Sequence, residues 1–576
     1  MSSFKVPRCD RSEYMLLMKR MLSCGKMVLC SDPKGVGSLF LVPKSTPGRC
    51  RPVWHGGVIS EACERPPHPR RLGNPASFLD LIFRKDEQWF LAKRDAASYF
   101  DVLQAPAGAQ RWFCCPPLAA KDFASCLGCT VDDLCRHAIS DNQASWTENT
   151  LLFPASTTWP MGFSWSSAVA QDVTLETLLT TGFPENAVLC DSHETLEDEG
   201  AYAVICTDDT IFINRDLGEQ QQTVSAFDSE LERAGIPRAI DKDIDGADAL
   251  TALGCHLTTT PPLASPDASK LRKLLCGILG AVDARQASPK GLHGLLGLAS
   301  WFCILSRPHY ACFSTVYEFV RREPETTLTA LPRVAIDELC IFLALAPLLT
   351  AGLDRDWMPL LTATDASPAF GFGASVCKLP IDDIARIGRK AEKRGDFVRL
   401  TRETGDTEPE KSRLGTPHYL GISKNDFTDV LCVKARVAEH AGIMELKGIL
   451  MLLKWILRSK THFHRRIVML IDAKAPLSAV AKGRTGSPAF FRTLCSINAH
   501  LLASDSLLRP VYIPSEDNPA DGPSRGKRRR PPGRRVLKKK GFCKGERALH
   551  SRQRELNALA SSLERVIELE RSWGAL

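Results

Sequence analysis

The sequence predicts a multidomain chain that mixes α-helices and β-strands, and three observations carry this prediction. Its 576 residues are enough for roughly three or four domains. At 203–213 an Asp-Asp pair lies between two apolar runs, as in a β-hairpin whose turn presents two carboxylates. The stretch 270–350 is rich in Leu and Ala and predicts helices, whereas short apolar runs alternate with helical patterns from residue 358 onward, as in an α/β domain.

Composition indicates an intracellular protein. Hydrophobic residues make up 44% of the chain, yet no apolar run reaches the ~18 residues of a membrane span. The N-terminal residues MSSFKVPRCD lack the apolar core of a signal peptide. We therefore expect a protein of the nucleus, the cytoplasm or both, with no membrane partner.

Positive charge is concentrated near the C-terminus. The nine Lys and Arg residues at 527–540 exceed the net charge of +8 by themselves, and this run contains no Asp or Glu. Such a run is typical of a nuclear-import signal or a nucleic-acid-binding arm, and a solvated linker is the alternative. Helical periodicity follows at 545–573.

One group among the 21 cysteines has metal-ligand spacing. Cys126 and Cys129 form a CxxC pair, which Cys135 and His137 follow. A zinc site of this kind needs a second pair at similar spacing. We therefore favour reduced structural cysteines here, with zinc as the alternative.

Three segments in order carry residues suited to nucleotide transfer. Asp95 lies in FLAKRDAASYFDV, Gly162 lies in WPMGFSWSSAVAQ, and AVICTDDTIFI contains Asp208 and Asp209. Adding a nucleotide to a 3′-hydroxyl uses two Mg²⁺ ions roughly 3.5–4 Å apart. Mg²⁺ prefers hard oxygen ligands, and a few Asp carboxylates are enough because substrate phosphates supply others.

The order D-x4-F, PMGF and TDD in these segments resembles motifs A, B and C of reverse transcriptases. The resemblance implies an α+β right-hand polymerase, with fingers and palm in 1–262 and a helical thumb or connection in 263–355. It also implies that Asp95 and Asp208 bind two Mg²⁺ ions, for which Mn²⁺ is an alternative. Asp209 would be the third carboxylate.

The same resemblance implies contacts with the substrate. Phe100 falls where the family has an aromatic steric gate, so that its ring would clash with a ribose 2′-hydroxyl and select dNTPs. Met161 and Gly162 would lie near the incoming nucleotide and the templating base. The sequence departs from the family's usual residues at Cys206, His55 and Met161, none of which is a predicted metal ligand.

Cations flank these motifs on both sides. Upstream, FLVPKSTPGRCRPVW resembles the fingers hairpin of the family, which makes Lys44 and Arg51 the predicted triphosphate-binding residues. Downstream, AGIPRAIDKDIDGADALTALGCHL resembles motifs D and E, and Lys242 would be the motif D lysine. The stretch 261–269 is predicted to be a linker because it is rich in Pro, Ala and Ser.

Four further acidic residues follow the helical stretch. Asp365 (LTATDASPAF), Glu445 (GIMELKGIL), Asp472 (RIVMLIDAK) and Asp521 (NPADGPSRG) occur on a predicted strand, helix, strand and helix start. This order resembles ribonuclease H, which implies an α/β ribonuclease H-like domain whose four carboxylates bind two Mg²⁺ ions. Glu439 is an alternative to Glu445, although the ELKG context favours Glu445.

The predicted nuclease domain spans 356–525, with a basic tail and C-terminal helix in 526–576. Within it, the polar stretch 388–417 is predicted to be a mobile insertion. Three features (SPKGLHGLLGLASWFCILSRPHY, WHGG and the NPAD–SR ending) resemble tyrosine-recombinase retrotransposons, the DIRS- and VIPER-like group.

The resemblance as a whole implies an RNA-directed DNA polymerase with ribonuclease H activity. Its partners would be an RNA template, a DNA primer, the RNA–DNA hybrid and dNTPs. The alternative is a catalytically silent nucleic-acid-binding scaffold with the same folds. All seven predicted carboxylates are present in the sequence, which argues against that alternative.

Overall fold

The structure is a computed structural model. It describes residues 10–43, 48–84, 86–139, 146–191, 200–391, 395–401, 415–437 and 439–529. The elements of its N-terminal portion are α1 (Arg11–Ser23), β1 (Met27–Cys30), β2 (Ser38–Pro43), β3 (Cys50–His55), α2 (Gly57–Ala62), β4 (Phe90–Asp95), α3 (Ala107–Gln110), β5 (Leu118–Ala119), α4 (Ala120–Leu127), β6 (Leu151–Ser156), α5 (Ser166–Thr180), β7 (Ala201–Cys206), β8 (Asp209–Asn214), α6 (Leu217–Arg233), β9 (Ile244–Ala247), β10 (Ala249–Ala252), β11 (Cys255–Thr259) and β12 (Pro262–Pro266).

A four-stranded antiparallel sheet in the order β7-β8-β4-β9 is the centre of this portion. Strands β7 and β8 are buried on both faces because their apolar side chains alternate between two cores. Ile211 and Ile213 of β8 pack into one core, and Phe212 packs into the other. The predicted hairpin at 203–213 is confirmed by the pairing of β7 with β8.

The helical expectation for 270–350 is confirmed. The elements here are α7 (Ala268–Ala284), β13 (Gln286–Ala287), α8 (Pro289–Cys303), α9 (Ser314–Arg322), β14 (Thr329–Ala330), α10 (Arg333–Leu345) and β15 (Ala351–Gly352). Buried residues of the four helices, among them Leu274, Leu296, Phe319 and Phe342, form one core.

The predicted linker at 261–269 is wrong. Residues Pro262–Pro266 form β12, which pairs with β11 on one side and β15 on the other. Helix α7 follows at once, and the carboxylate of Asp267 caps it by accepting from the backbone N–H of Lys270 at 2.9 Å. A Pro-rich composition therefore does not exclude a strand where the Pro residues begin and end it.

The C-terminal portion contains β16 (Asp356–Ala366), β17 (Gly371–Lys378), α11 (Ile381–Gly388), β18 (Phe397–Arg399), β19 (Pro417–Tyr419), β20 (Thr428–Lys434), α12 (Ala441–Ile456), β21 (Arg465–Ile471), α13 (Lys474–Lys482), α14 (Pro488–Ala503), β22 (Leu507–Tyr512) and α15 (Asp521–Ser524). Five strands form a mixed sheet in the order β20-β17-β16-β21-β22. Helices α12 and α14 cover one face of this sheet and α11 covers the other.

The prediction of a mobile insertion at 388–417 is wrong for its described central residues. Strand β18 pairs in parallel with β19, and Phe397, Val398, Arg399 and Leu400 are all buried. Phe397 also contacts the ring of Tyr512 with a centroid distance of 6.3 Å. The polar composition of the stretch concealed a short buried strand.

The two sheet-containing portions meet through buried polar contacts. Arg509 on β22 forms an ion pair of 2.7 Å with Asp80, and both side chains are about nine-tenths buried. The guanidinium of Arg466 on β21 donates to the carbonyl of Leu81. None of the helices in the described ranges is both long and apolar enough to cross a membrane.

Candidate polymerase and nuclease sites

The β7–β8 hairpin brings the first set of predicted carboxylates together. Asp95 ends β4 directly opposite Asp209, which begins β8, while Asp208 occupies the turn. The turn contains Thr207 at φ +55°, and its backbone N–H donates to Oε1 of the buried Gln171 at 2.8 Å. A fixed turn of this kind keeps Asp208 beside the other two carboxylates.

Two lysines neutralise part of this negative charge. Lys93 lies 3.0 Å from the Asp209 carboxylate, and Lys242 lies 3.1 Å from that of Asp95. Burial raises the pKa of Asp209, and the Lys93 ammonium opposes this shift without cancelling it. Burial favours a lower pKa for Lys242, but its hydrogen bond to Asp95 and the charge of Asp95 outweigh burial and raise it. Lys242 is therefore a cation at neutral pH.

A cleft of about 1030 Å³ opens above these carboxylates. Asp95 and Asp208 form part of its floor, and the predicted substrate residues Arg51, Phe100, Met161 and Lys242 line it as well. Arg51 lies exposed on β3, which pairs with β2 as an antiparallel hairpin. Lys44 lies outside the described residues. The structure thus gathers most of the predicted substrate contacts around one cavity.

Gly162 is needed where the PMGF loop approaches β3. Its φ is +106°, and a Cβ there would lie 2.2 Å from the carbonyl oxygen of Trp54. The backbone N–H of Trp54 donates to the carbonyl of Met161 at 2.8 Å. A side chain at position 162 would separate this loop from the strand and move Met161 away from the cleft.

Sequence reasoning missed Lys93 and Gln171. Lys93 was detectable, because residues i and i+2 of a strand share a face and Lys93 precedes Asp95 by two. Gln171 lies on α5. Its side-chain NH2 group donates to the carbonyls of Arg70, Arg71 and Ile205, and its Oε1 accepts from the backbone N–H of Thr207. No local pattern signals these contacts, since the partners come from two segments, 70–71 and 205–207, that are distant from Gln171 in sequence.

The second set of carboxylates forms a tight cluster. Asp365 near the end of β16, Glu445 on α12 and Asp472 directly after β21 have carboxylate oxygens within 4.8 Å of one another. Asp365 and Glu445 are buried. Burial, together with the neighbouring charge of Asp472, raises the pKa of Asp365 to about 6. Burial and the charges of Asp365 and Asp472 raise that of Glu445 to about 9.

Asp521, the fourth predicted carboxylate, lies next to this cluster and is not part of it. It begins α15 and forms an ion pair of 2.8 Å with Arg525. Its charge contributes to the raised pKa values of Asp365 and Asp472. Glu439, the alternative to Glu445, forms an ion pair with Lys447 instead.

The chemistry of the Asp365 cluster fits a divalent cation. Three carboxylates repel one another at this spacing unless a cation or protons offset their charge. Burial raises the pKa of Asp472, and its Oδ1 atom is buried without a hydrogen-bond partner in the described part of the chain. Hard carboxylate oxygens of this kind are the ligands that Mg²⁺ and Mn²⁺ prefer.

The other carboxylates and the cysteines differ from this cluster. In the ranges that the structure describes, Asp365, Glu445 and Asp472 are the one group of His, Cys, Asp or Glu residues close enough to hold a metal ion. Asp95, Asp208 and Asp209 offer the same hard ligands, but two of them contact ammonium groups. Within those ranges, Cys126, Cys129, Cys135 and His137 do not form such a group.

No protein-family model and no curated protein matches the chain. It is similar to solved structures of foamy viral protease-reverse transcriptase. For the complex with double-stranded DNA the TM-score is 0.43 at 12% identity, covering 89% of this chain and 87% of that chain. For a form designated dRH, also with double-stranded DNA, the TM-score is 0.43 at 12% identity, covering 89% of this chain and 71% of that chain. For the complex with an RNA/DNA hybrid the TM-score is 0.42 at 11% identity, covering 89% of this chain and 75% of that chain. The likeness is distant.

Proposed function

We propose that the chain is an RNA-directed DNA polymerase joined to a ribonuclease H, which copies RNA into DNA and degrades the RNA strand of the hybrid. One observation carries the proposal: a single chain holds two separate sets of carboxylates. Each set lies at the ends of adjacent strands, and Glu445 of helix α12 completes the second. One set lies under an open cleft lined by cations. The other is a buried cluster spanning 4.8 Å or less.

In the polymerase site, Asp95, Asp208 and Asp209 would hold two Mg²⁺ ions. Bound Mg²⁺ supplies a stabilising charge for the transferring phosphoryl group and for the attacking oxygen. The protein's own contribution is positioning: Arg51 and Lys242 line the cleft as cations that can contact a triphosphate. Lys93 and Lys242 also balance the carboxylates' charge when divalent ions are absent.

In the nuclease site, Asp365, Glu445 and Asp472 would hold the metal ions, with Asp521 at the edge. Bound Mg²⁺ supplies there the activation of a water for attack on a phosphodiester. The strands β16 and β21 lie side by side in parallel, so Asp365 and Asp472 leave the sheet at the same end. Helix α12 packs on that sheet and presents Glu445 to both.

The same proposed function assigns a role to each part of the chain and a set of partners. Residues 1–262 would be fingers and palm, 263–355 thumb or connection, 356–525 the nuclease and 526–576 the tail. The chain would act for a retrotransposon of the tyrosine-recombinase group, in the nucleus or the cytoplasm. Its partners would be an RNA template, a DNA primer and dNTPs.

Reciprocal variants test the two activities. In Mg²⁺, Asp208→Asn should abolish extension of a DNA primer on an RNA template and leave hybrid cleavage intact. Asp472→Asn should do the reverse, because its site is separate. The measurement is extension and RNA-strand cleavage on one labelled template–primer, with binding measured in parallel.

Each variant is the other's control, since both replace a carboxylate by an amide of the same shape. Substantial dNTP incorporation by Asp208→Asn would remove Asp208 from the polymerase site. Binding without either activity in the wild-type chain, across Mg²⁺ and Mn²⁺, would favour the silent nucleic-acid-binding scaffold.

A further inference from the structure

The segment between β22 and α15 determines how α15 meets the nuclease cluster. The side-chain amide of Asn518 donates to the carbonyl of Thr364 at 3.0 Å, one residue before Asp365. Further along, the Ser524 hydroxyl donates to the carboxylate of Asp365. Asp521 lies between these two contacts. Any shift of this segment therefore moves both a predicted ligand and a hydrogen-bond donor of the cluster.

Arg529, one of the nine basic residues of the tail run, connects this segment to the edge of the sheet. Its guanidinium lies 2.6 Å from the carboxylate of Asp429 on β20. The same guanidinium donates to the carbonyl of Pro519 at 2.5 Å and to the hydroxyl of Ser375 at 2.9 Å. Its backbone N–H donates to the second Asp429 oxygen at 2.5 Å. Arg529 thus joins strand β20, strand β17 and the segment before α15.

The burial of Asp429 makes this contact strong. Its side chain has no exposed surface, and a buried carboxylate without a compensating cation is strongly destabilising. The planar fork of Arg can reach a carboxylate and a carbonyl at once, whereas the ammonium of Lys acts as a point charge. The same segment is held from its other side by Arg399, which donates to the buried Asp517 at 3.0 Å.

We propose that Arg529 is a positioning residue of the nuclease site: by joining Asp429 to the carbonyl of Pro519, it holds α15 against Asp365. This inference rests on the proposed nuclease function. Under this proposal Arg529 does not bind nucleic acid with the other basic residues of 527–540, and it acts instead as part of the folded nuclease-like portion. The polymerase site, which lies on another sheet, is independent of it.

The test uses the full chain with Arg529→Ala, Arg529→Lys and the control Lys527→Ala, which removes an exposed basic side chain of the same run. We expect Arg529→Ala to lower the kcat of hybrid cleavage roughly tenfold to a hundredfold, as outer-shell partners of metal ligands do, with KM and primer extension unchanged. Arg529→Lys should restore thermal stability, because it again neutralises Asp429, but not kcat. Restoration of kcat by Lys would overturn the proposal, since charge alone would then suffice.

Hydrogen exchange of backbone amides separates this inference from the proposed function. In Arg529→Ala, amides of 517–524 should exchange faster, while those of β16 and β21 stay protected. Unchanged exchange at 517–524 would overturn the positioning role, whatever the activity. A wild-type chain that cleaves no hybrid, with faster exchange in the variant, would instead refute the nuclease function and leave the positioning role in place.

Discussion

At the scale of single residues, the candidate sites depend on neighbours that fix a side chain's direction. Tyr99, which precedes Phe100, is buried, and its hydroxyl donates to the carbonyl of Ala170 at 3.1 Å. The Thr174 hydroxyl donates to the hydroxyl oxygen of Tyr99 at 2.7 Å. These bonds anchor the turn Tyr99–Asp101 on α5, so that Phe100 lines the cleft.

Phe100→Ala should admit ribonucleotides, because it removes the ring that would meet a 2′-hydroxyl. The measurement is the ratio of kcat/KM for a dNTP to that for the matching rNTP, which we expect to fall by at least about tenfold, or about 1.4 kcal/mol. Phe100→Tyr keeps the ring and is the matched control. An unchanged ratio in Phe100→Ala would take the gate role away from this residue.

Glu445→Gln should stabilise the chain when divalent cations are chelated. The pKa of Glu445 is raised to about 9 by burial and by neighbouring carboxylates, from an ordinary 4.5. Between these values the folded state binds more protons than the unfolded state, so stability falls as pH rises. Gln carries no titrating proton and removes this loss.

The gain in Tm from Glu445→Gln, measured in EDTA, should therefore grow between about pH 5 and about pH 9. Glu439→Gln is the matched control, because Glu439 contacts Lys447 and lies outside the cluster. An equal gain at every pH would mean that Glu445 titrates normally in the folded chain.

At the scale of elements, His464 ties the start of the nuclease-like portion together. Its Nε2 lies 2.7 Å from the carboxylate of Asp354, after β15, and its Nδ1 lies 2.7 Å from that of Asp505, before β22. Arg355 also contacts Asp505, at 2.5 Å. An imidazolium bridges both carboxylates by donating from each nitrogen, which a neutral ring cannot do.

His464→Gln should destabilise the chain at low pH more than at high pH. Burial alone would lower the pKa of His464, but its hydrogen bonds to Asp354 and Asp505 and the charges of these carboxylates outweigh burial and raise it. The stabilisation is therefore fully present below the unfolded value of about 6.5 and is lost as pH rises through the folded value.

The measurement is the difference in Tm between wild type and His464→Gln from about pH 6 to about pH 9. The control is His293→Gln, since His293 lies exposed on α8. A Tm difference that does not shrink with rising pH would show that the bridge does not depend on the protonated ring.

At the scale of the whole molecule, the two sheet-containing portions are joined through charge as well as apolar packing. Arg466 is almost fully buried, and its guanidinium lies over the ring of Trp357 at 5.4 Å. Burial and the nearby Arg509 lower the pKa of Arg466 to about 9. Asp80 is the carboxylate that compensates these two guanidiniums from the other portion.

Asp80→Ala should therefore uncouple the portions. It leaves the buried Arg509 without its partner, which typically costs about 3–5 kcal/mol. In urea unfolding of Asp80→Ala, the transition midpoints reported by Trp fluorescence and by far-UV circular dichroism should lie further apart than in the wild type. Asp86→Ala at an exposed position is the control, and coincident transitions in Asp80→Ala would contradict a coupling role.

The sequence was sufficient where the signal is local. Local patterns placed Asp365, Glu445 and Asp472 on a strand, a helix and the end of a second strand, and the resemblance of this order to ribonuclease H made them one predicted set. The structure brings the three together. The Asp208–Asp209 hairpin was predicted from a local pattern, since its turn and both strands lie within 203–213.

Tertiary structure alone decided what pairs with these residues. Arg466 and Leu81 are 385 residues apart, and Arg529 and Asp429 are 100 apart, so no short window contains both partners. A basic run reads as a solvated arm by composition, yet Arg529 is docked because a buried carboxylate in the folded sheet requires a cation. Periodicity records which face of an element is apolar, whereas the partner of a buried charge is determined only when distant elements pack.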